Sequence, residues 1–161
     1  MEERQLGKIV IIPIGVVSRI SPDENDRDKS LVARIVLNKD LTSALDGIEE
    51  WSHIYVIFWL DRVVQNTEPV LHHTGSGPGI IAARSPIHPK QTGLTLVEIV
   101  KREENVLWAR GLDAYEGTLV VDIKPYPDWE KDRFQIVTDF RSPVWLAKIM
   151  EQQRESNQAG V

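Results

Sequence analysis

Six short runs of strand-forming residues, each broken off by turn chemistry, limit what this chain can fold into. Lys8 to Arg19 (KIVIIPIGVVSR) is dominated by Ile and Val, whose branched side chains suit a pleated strand. Pro13 interrupts that run and donates no ladder hydrogen bond, so an edge position, a bulge or a bend is expected there. Leu31 to Leu37 alternates apolar and polar residues, the period-two pattern of a half-buried strand. Ser52 to Leu60 (SHIYVIFWL) is almost wholly apolar and reads as a buried strand. Leu94 to Val100 alternates again, and the turn-like Lys101 to Asn105 predicts that Val106 to Leu112 folds back on it as a hairpin. Thr118 to Ile123 is the last run. Strands at such short spacing suggest a barrel or a sandwich rather than a parallel sheet with crossover helices.

Two segments look helical. Leu41 to Ile48 is short, with Asp40 available as its N-cap. Ser142 to Gln153 is stronger: Ser142 fits the N-cap, Pro143 the first helical position, and Trp145, Leu146, Ile149 and Met150 form an apolar stripe that suits packing on the barrel or on a partner subunit. The residues after Glu155 read as a disordered tail. Gln65 to Gly79, with Pro69, His72, His73 and three glycines, reads as a loose loop of the kind that borders binding sites.

Composition removes several classes of function. There is no cysteine, hence no disulfide, thiolate metal site or cysteine nucleophile. The four histidines, His53, His72, His73 and His88, have no metal-ligand spacing, and no metal is expected. Gly75-Ser76-Gly77 lacks the spacing of a hydrolase elbow. No GxGxxG follows the first strand, and no Gly-Lys-Ser/Thr closes the glycine-rich loop, so neither a Rossmann site nor a phosphate loop is expected. The net charge of -5 argues against general nucleic-acid binding but allows a local basic patch. Met1-Glu2-Glu3-Arg4 shows no signal pattern and no apolar run spans a bilayer, which leads to an expected cytoplasmic location and no membrane partner.

Three segments join polar residues to strand ends or sharp turns. In Ala83 to Gly93, Pro86 and Pro89 fix their own φ and hold their predecessors extended. Such a loop presents Arg84, Ser85, His88 and Lys90 with little freedom, as a site for an anionic group requires; a rigid structural connection is the equal alternative. Asp122, Lys124 and Tyr126 alternate along an extended segment and share a face, either as a polar ligand site or as a structural ion pair. His53 lies at the mouth of the apolar strand, where a hydrogen-bonded core role is the commoner one.

These same segments carry a resemblance. Gly47-Ile48-Glu49-Glu50-Trp51-Ser52-His53 is similar to the G-L-E-x-F-S-H sequence of the TsaA-like (TrmO-type) family of S-adenosylmethionine-dependent tRNA methyltransferases. Gly79 to Leu96 (GIIAARSPIHPKQTGLTL) resembles that family's G-V-F-A-T-R-S-P-x-R-P-N-P-I-G-L-S. Leu112 to Tyr126 (LDAYEGTLVVDIKPY) resembles its D-L-x-D-G-T-P-V-L-D-I-K-P-Y, and Ile14 to Ser18 its opening I-G-x-I-x-S. The three motifs occur in family order from about Ile9 to Pro127. Two stretches depart: where the family reads R-P-N-P-I-G, this chain has His88-Pro89-Lys90-Gln91-Thr92-Gly93, and the early loop, Ser21 to Ser30, lacks the family's usual proline-glutamine pattern.

The resemblance implies a mainly β fold, a small antiparallel β-barrel with a short internal helix and a C-terminal helix. It implies one domain over residues 1–161, the barrel at about 8–140 and the helix at about 142–155. It further implies a homodimer, S-adenosyl-L-methionine as cofactor, and N6-methylation of threonylcarbamoyladenosine beside the tRNA anticodon. Cofactor contacts are expected at Arg84, Ser85, His88, Lys90, Gly93 and Thr95, and at Leu112, Asp113 and Gly117. Catalytic roles are expected among His53, Asp113, Asp122, Lys124 and Tyr126, with Asp113, Asp122 or His53 as the base. Arg84 and Lys124 suit the cofactor carboxylate or an RNA phosphate. The altered loop leaves two alternatives open, a non-catalytic S-adenosylmethionine-binding module and a methyltransferase with another substrate.

Overall fold

A computed structural model describes residues 7–19, 28–63, 70–72, 77–83 and 85–126. Its strands are β1 (Gly15–Ser18), β2 (Val32–Leu37), β3 (His53–Trp59), β4 (Thr92–Glu103), β5 (Val106–Arg110) and β6 (Leu119–Pro125). They close into a barrel in the order β1-β2-β5-β4-β3-β6, every neighbouring pair antiparallel. Closure satisfies both edges of each strand, which an open sheet of this size leaves unpaired. The seam is short: β1 meets β6 only at Gly15↔Val120 and Val16↔Leu119. Alternation places one parity of each strand inside, so that Val17, Ile35, Ile54, Val56, Leu107 and Val120 are wholly buried.

The first run forms much less strand than its composition suggested. Only four residues after Pro13 join the barrel, and Ile9 and Ile12 are exposed. β3 is a strand as expected, yet it alternates strictly, with Ile54, Val56 and Phe58 inside and Tyr55, Ile57 and Trp59 only half-buried outside. The hairpin forms with a tighter turn than expected. β4 continues through Glu103, and the turn is Glu104-Asn105, Glu104 at φ +51. Lys101 and Glu103 lie on the exposed face of the strand and pair there at 2.5 Å, which is why a charged run could continue a strand. Asn105 is buried, and its amide Nδ2 donates to the Leu37 carbonyl at 2.5 Å, tying the hairpin to β2.

The expected helix at Leu41 to Ile48 is instead a 3-10 turn over Lys39–Leu45 followed by another at Ile48–Glu50. Asp40 falls inside the first turn and Asn38 precedes it, with no side-chain cap. Gly47, at φ +85, ends any continuation. Arg102 fastens this segment to β4: it donates to the Thr42 carbonyl at 2.8 Å and to Asp46 Oδ1 at 2.9 Å. The hydrogen bond to Asp46, with Glu49 adding to it, holds that guanidinium above its ordinary value. The apolar run from Gly79 forms a 3-10 turn at Ile80–Ala82. The segments expected to form a C-terminal helix and a tail, and most of the Gln65 to Gly79 stretch, lie outside the described residues. Among the described residues no helix is long and apolar enough to cross a membrane.

A two-lobed cleft as the candidate functional site

One end of the barrel opens into a cleft with two adjoining lobes. Phe58, Leu60, Pro86 and Asp113 line both. The first lobe, about 490 Å³, is bounded by Ser85 and His88 of the proline loop and by residues 92–95 at the start of β4. The second, about 460 Å³, is bounded by Asp61, Arg62 and Val63 after β3 and by Ala114, Tyr115 and Thr118 before β6. Each volume lies within the range of small-molecule sites.

The proline loop is held from within. Ser85 accepts the Ile87 N–H on its hydroxyl at 3.4 Å, and its carbonyl accepts the His88 N–H at 3.3 Å. His88 Nε2 lies 2.6 Å from the Ala83 carbonyl, which can only accept, so this nitrogen carries the proton. Gln91 closes the loop. It is buried, sits at φ +39 and donates from Nε2 to the Val63 carbonyl at 3.0 Å. Proline cannot take that φ, so the family's second proline and this backbone are incompatible at this position. Beyond the loop, Gly93 pairs with Phe58 across β3 and β4. A Cβ on Gly93 would lie 2.3 Å from the Phe58 ring, so the glycine is what leaves room for that ring where it lines the cleft.

The opposite wall, Leu112 to Thr118, hangs on Arg19. This arginine is 7% exposed. Its Nε donates to the Ala114 carbonyl at 2.6 Å, one terminal nitrogen to the Leu112 carbonyl at 2.5 Å and the other to the Asp28 carbonyl at 3.2 Å. Its backbone N–H donates to the Glu116 carboxylate. Gly117, at φ +78, lets the wall turn back, with the Thr118 N–H donating to the Tyr115 carbonyl at 3.2 Å. On this wall Asp113 pairs with Lys29 at 3.1 Å and faces both lobes. Arg62 donates to the Glu116 carbonyl at 3.0 Å and lies 4.7 Å above the centre of the Tyr115 ring.

Of the residues expected to hold a cofactor, Ser85, His88, Gly93, Thr95 and Asp113 line the cleft together. Lys90 is exposed and lines neither lobe. Leu112 is a core residue whose carbonyl is used by Arg19, and Gly117 serves the turn. Arg84 lies outside the described residues. The other expected catalytic residues line neither lobe. Asp122 and Lys124 form an ion pair at 2.7 Å on the outer face of β6, opposite Ile57 and Tyr55. Asp122 also accepts the Ile123 N–H at 2.8 Å. Tyr126 packs edge-on against Tyr55 at 5.4 Å, and its N–H donates to the His53 carbonyl. His53 shares a 3.0 Å hydrogen bond with Ser52.

Sequence reasoning missed Arg19, Arg62 and Tyr115. Arg19 had one signal, a cation ending an Ile/Val run, and Tyr115 lay inside a motif that was read for its aspartate and glycine. Nothing local marked Arg62.

The cleft belongs to a recognisable lineage. The model of the tRNA-methyltransferase O N-terminal domain matches residues 18–131. A probable S-adenosyl-L-methionine-binding protein of Methanothermobacter thermautotrophicus is 36% identical over 125 residues, covering 74% of this chain and 90% of the relative. A mouse tRNA (adenine(37)-N6)-methyltransferase is 36% identical over 110 residues, covering 65% of this chain and 23% of the relative. The chain therefore spans most of the archaeal protein but about a quarter of the mouse one. A crystal structure of TrmO from Pseudomonas aeruginosa is similar in fold, with a TM-score of 0.65 at 23% identity over 86% of this chain and 63% of that one.

Proposed function

The chain belongs to the tRNA-methyltransferase O N-terminal domain family, and from that premise we propose that it is an S-adenosylmethionine-dependent methyltransferase acting on an adenosine of tRNA. The finer reading is N6-methylation of threonylcarbamoyladenosine beside the anticodon, in the cytoplasm. The observation that carries it is the pair of adjoining lobes with a single carboxylate, Asp113, facing both. A transfer between two bound reactants needs adjoining sites.

The residues of the first lobe fit the cofactor. Ser85, Thr92 and Thr95 offer hydroxyls to a ribose and an amino acid, Leu94 and Pro86 offer apolar surface to a purine, and Asp113 offers negative charge to a sulfonium. When bound, S-adenosylmethionine supplies an electrophilic methyl group. The chain's own part is to position and to move one proton. A carbamoylated N6 is a poor nucleophile while protonated, and we assign Asp113 to accept that proton as the nitrogen takes the methyl group and the sulfur–methyl bond breaks. Lys29, 3.1 Å away, keeps the carboxylate in place. Arg84 is proposed as a further anion-holding residue.

Calorimetry with S-adenosylmethionine, followed by methyl transfer to tRNA carrying the threonylcarbamoyl group, tests the reading. Asp113→Asn is expected to weaken S-adenosylmethionine binding and, at saturating cofactor, to lower the transfer rate by about 10²-fold, the lower end for loss of a general base. A variant as fast as the parent removes Asp113 from the role of base. The names of the archaeal relatives favour a second reading, a binding module without catalysis, which predicts cofactor binding with no transfer to any tRNA.

The same reading includes a homodimer. Leu96 and Val100 project from the outer face of β4 and are 41% and 43% exposed, an apolar patch suited to a second copy. A dimer mass in light scattering at micromolar concentration is the expected result, and a monomer mass removes the proposal.

A further inference from the structure

One sequence motif has no place in the cleft. Asp122-Ile123-Lys124-Pro125 ends β6 and lines neither lobe. It borders the side of β6 that β1 leaves open: β1 pairs only with Leu119 and Val120, and beyond them no described residue pairs with that side through Pro125. A segment of opposite character precedes β1. Ile9, Val10, Ile11 and Ile12 join no strand and are each more than half exposed. Four β-branched residues in a row form an uncharged stretch that pairs readily with a strand edge. We propose that Asp122, Lys124 and Pro125 are an edge guard: they stop the open side of β6 from accepting a strand, and the strand they exclude is the arm at residues 8–12 of a second copy.

The ladder with β3 shows which groups face the open side. Its register pairs Ile54 with Pro125, Tyr55 with Lys124 and Val56 with Ile123. One step further, the Tyr126 N–H donates to the His53 carbonyl at 3.0 Å. Antiparallel pairs alternate between bonded and non-bonded, so Tyr126, Lys124 and Asp122 bond to β3, while Pro125 and Ile123 turn their backbone groups to the open side. Proline offers no N–H there, and its ring costs the β3 ladder nothing. The Ile123 N–H is already taken: Asp122 Oδ1 accepts it at 2.8 Å. Lys124 Nζ holds the other oxygen, Oδ2, at 2.7 Å, which steadies the carboxylate over that N–H. An incoming strand therefore finds no free donor on either residue and meets a charged pair beside them. Charged side chains and proline are the usual means of blunting a sheet edge. The alternation of Asp122 and Lys124 has the same cause, since one can steady the other only from a shared face. The arm does not continue onto its own β6 either. Pro13 lacks an N–H, and the last bond of that seam is the Ile14 N–H to the Val120 carbonyl at 2.8 Å.

The test is sedimentation velocity on the full chain and on Asp122→Val, Pro125→Val and the double variant, from micromolar concentration upward. The parent is expected not to associate beyond a dimer. The double variant is expected to form larger species as concentration rises, and to return to the parent's mass when Ile9→Lys and Ile11→Lys are added to it. Pro125→Val, which removes no side-chain hydrogen bond, is expected to show the same arm-dependent association more weakly, and it keeps the test open should Asp122→Val fail to fold. Hydrogen exchange reads the cap directly: the Ile123 amide is expected to exchange about tenfold faster in Asp122→Val, because it loses a charged partner. Methyl transfer by Asp122→Val, measured where it has the parent's mass, is expected to stay within about twofold of the parent, as for a surface change that touches no reactant. A double variant that keeps the parent's mass, association that persists without the apolar arm, or unchanged exchange at Ile123 overturns the proposal. So does a loss of transfer of about tenfold or more in Asp122→Val, which would give that carboxylate a part in the chemistry. A parent without transfer activity would remove the methyltransferase reading instead, and sedimentation and exchange would still decide the guard.

Discussion

Arg19→Ala will cost about 3–5 kcal/mol of stability, and the cleft will lose its ligand with it. Hydrogen bonds to a charged group are worth about 1.5–3 kcal/mol each. Arg19 makes them to the carbonyls of Leu112, Ala114 and Asp28 from a position that is 7% exposed. Alanine leaves the first two of those carbonyls buried without their donor and opens a cavity where the side chain was. At about 2–4 °C per kcal/mol for a chain of this size, the melting temperature should fall by on the order of 10 °C. Function is lost because the wall that Arg19 holds is the one that presents Asp113 and Tyr115. Arg19→Lys keeps the charge but replaces a planar fork by a point donor, so it should fall between the two. Urea unfolding and cofactor calorimetry on the three proteins check this. Normal cofactor affinity in a destabilised Arg19→Ala would mean that the wall keeps its shape without the clamp.

Gly93→Ala will separate binding from folding in the opposite sense. The added methyl would lie 2.3, 2.4 and 2.8 Å from three atoms of the Phe58 ring. Phe58 is itself buried against β4, so the ring cannot yield by a small shift. Overpacking of this kind costs about 1–3 kcal/mol. The ring's open side is the cleft, since Phe58 lines both lobes, and its displacement would fill them. S-adenosylmethionine affinity should therefore fall by about tenfold or more, a loss of about 1.4 kcal/mol or greater. Gly117→Ala is the matched control. It sits at φ +78, where alanine is strained, but its methyl would meet nothing within 4 Å and it lines neither lobe. Comparable destabilisation in the two variants, with weakened binding only in Gly93→Ala, is the expected pattern. Intact binding in Gly93→Ala would show that the ring relaxes elsewhere.

How far the residues themselves revealed these features depended on how local the physics was. Val106 to Arg110 folds back on Leu94 to Glu103 because a short turn separates two apolar runs, and that much is written along the chain. The turn's length was misjudged because Lys101 and Glu103 look like loop residues, whereas on the outside of a strand they simply pair with each other. Ile80 to Ala82 shows the converse: its apolar residues do not make it a strand. An apolar run becomes a strand only where a partner strand accepts its hydrogen bonds, and here Ile81 is left exposed in a 3-10 turn. Ser52 to Leu60 could not disclose its two faces, since both parities are apolar.

For the site, the motifs located both walls of the cleft but not which of their residues face it. Asp122, Lys124 and Tyr126 share a face, as their alternation requires, and closure of the barrel turned that face outward. The chain by itself determined that most of these runs are strands, the hairpin, the proline loop and the family. Only the tertiary structure decided that β1 closes on β6, that Ser85 and Asp113 share one cleft, and that Arg19 reaches across 95 residues to the Ala114 carbonyl. The physical reason is that strand period, φ restriction and turn chemistry act between near neighbours. Closure and the Arg19 clamp join residues that carry no mark of each other until the barrel brings them within hydrogen-bond reach.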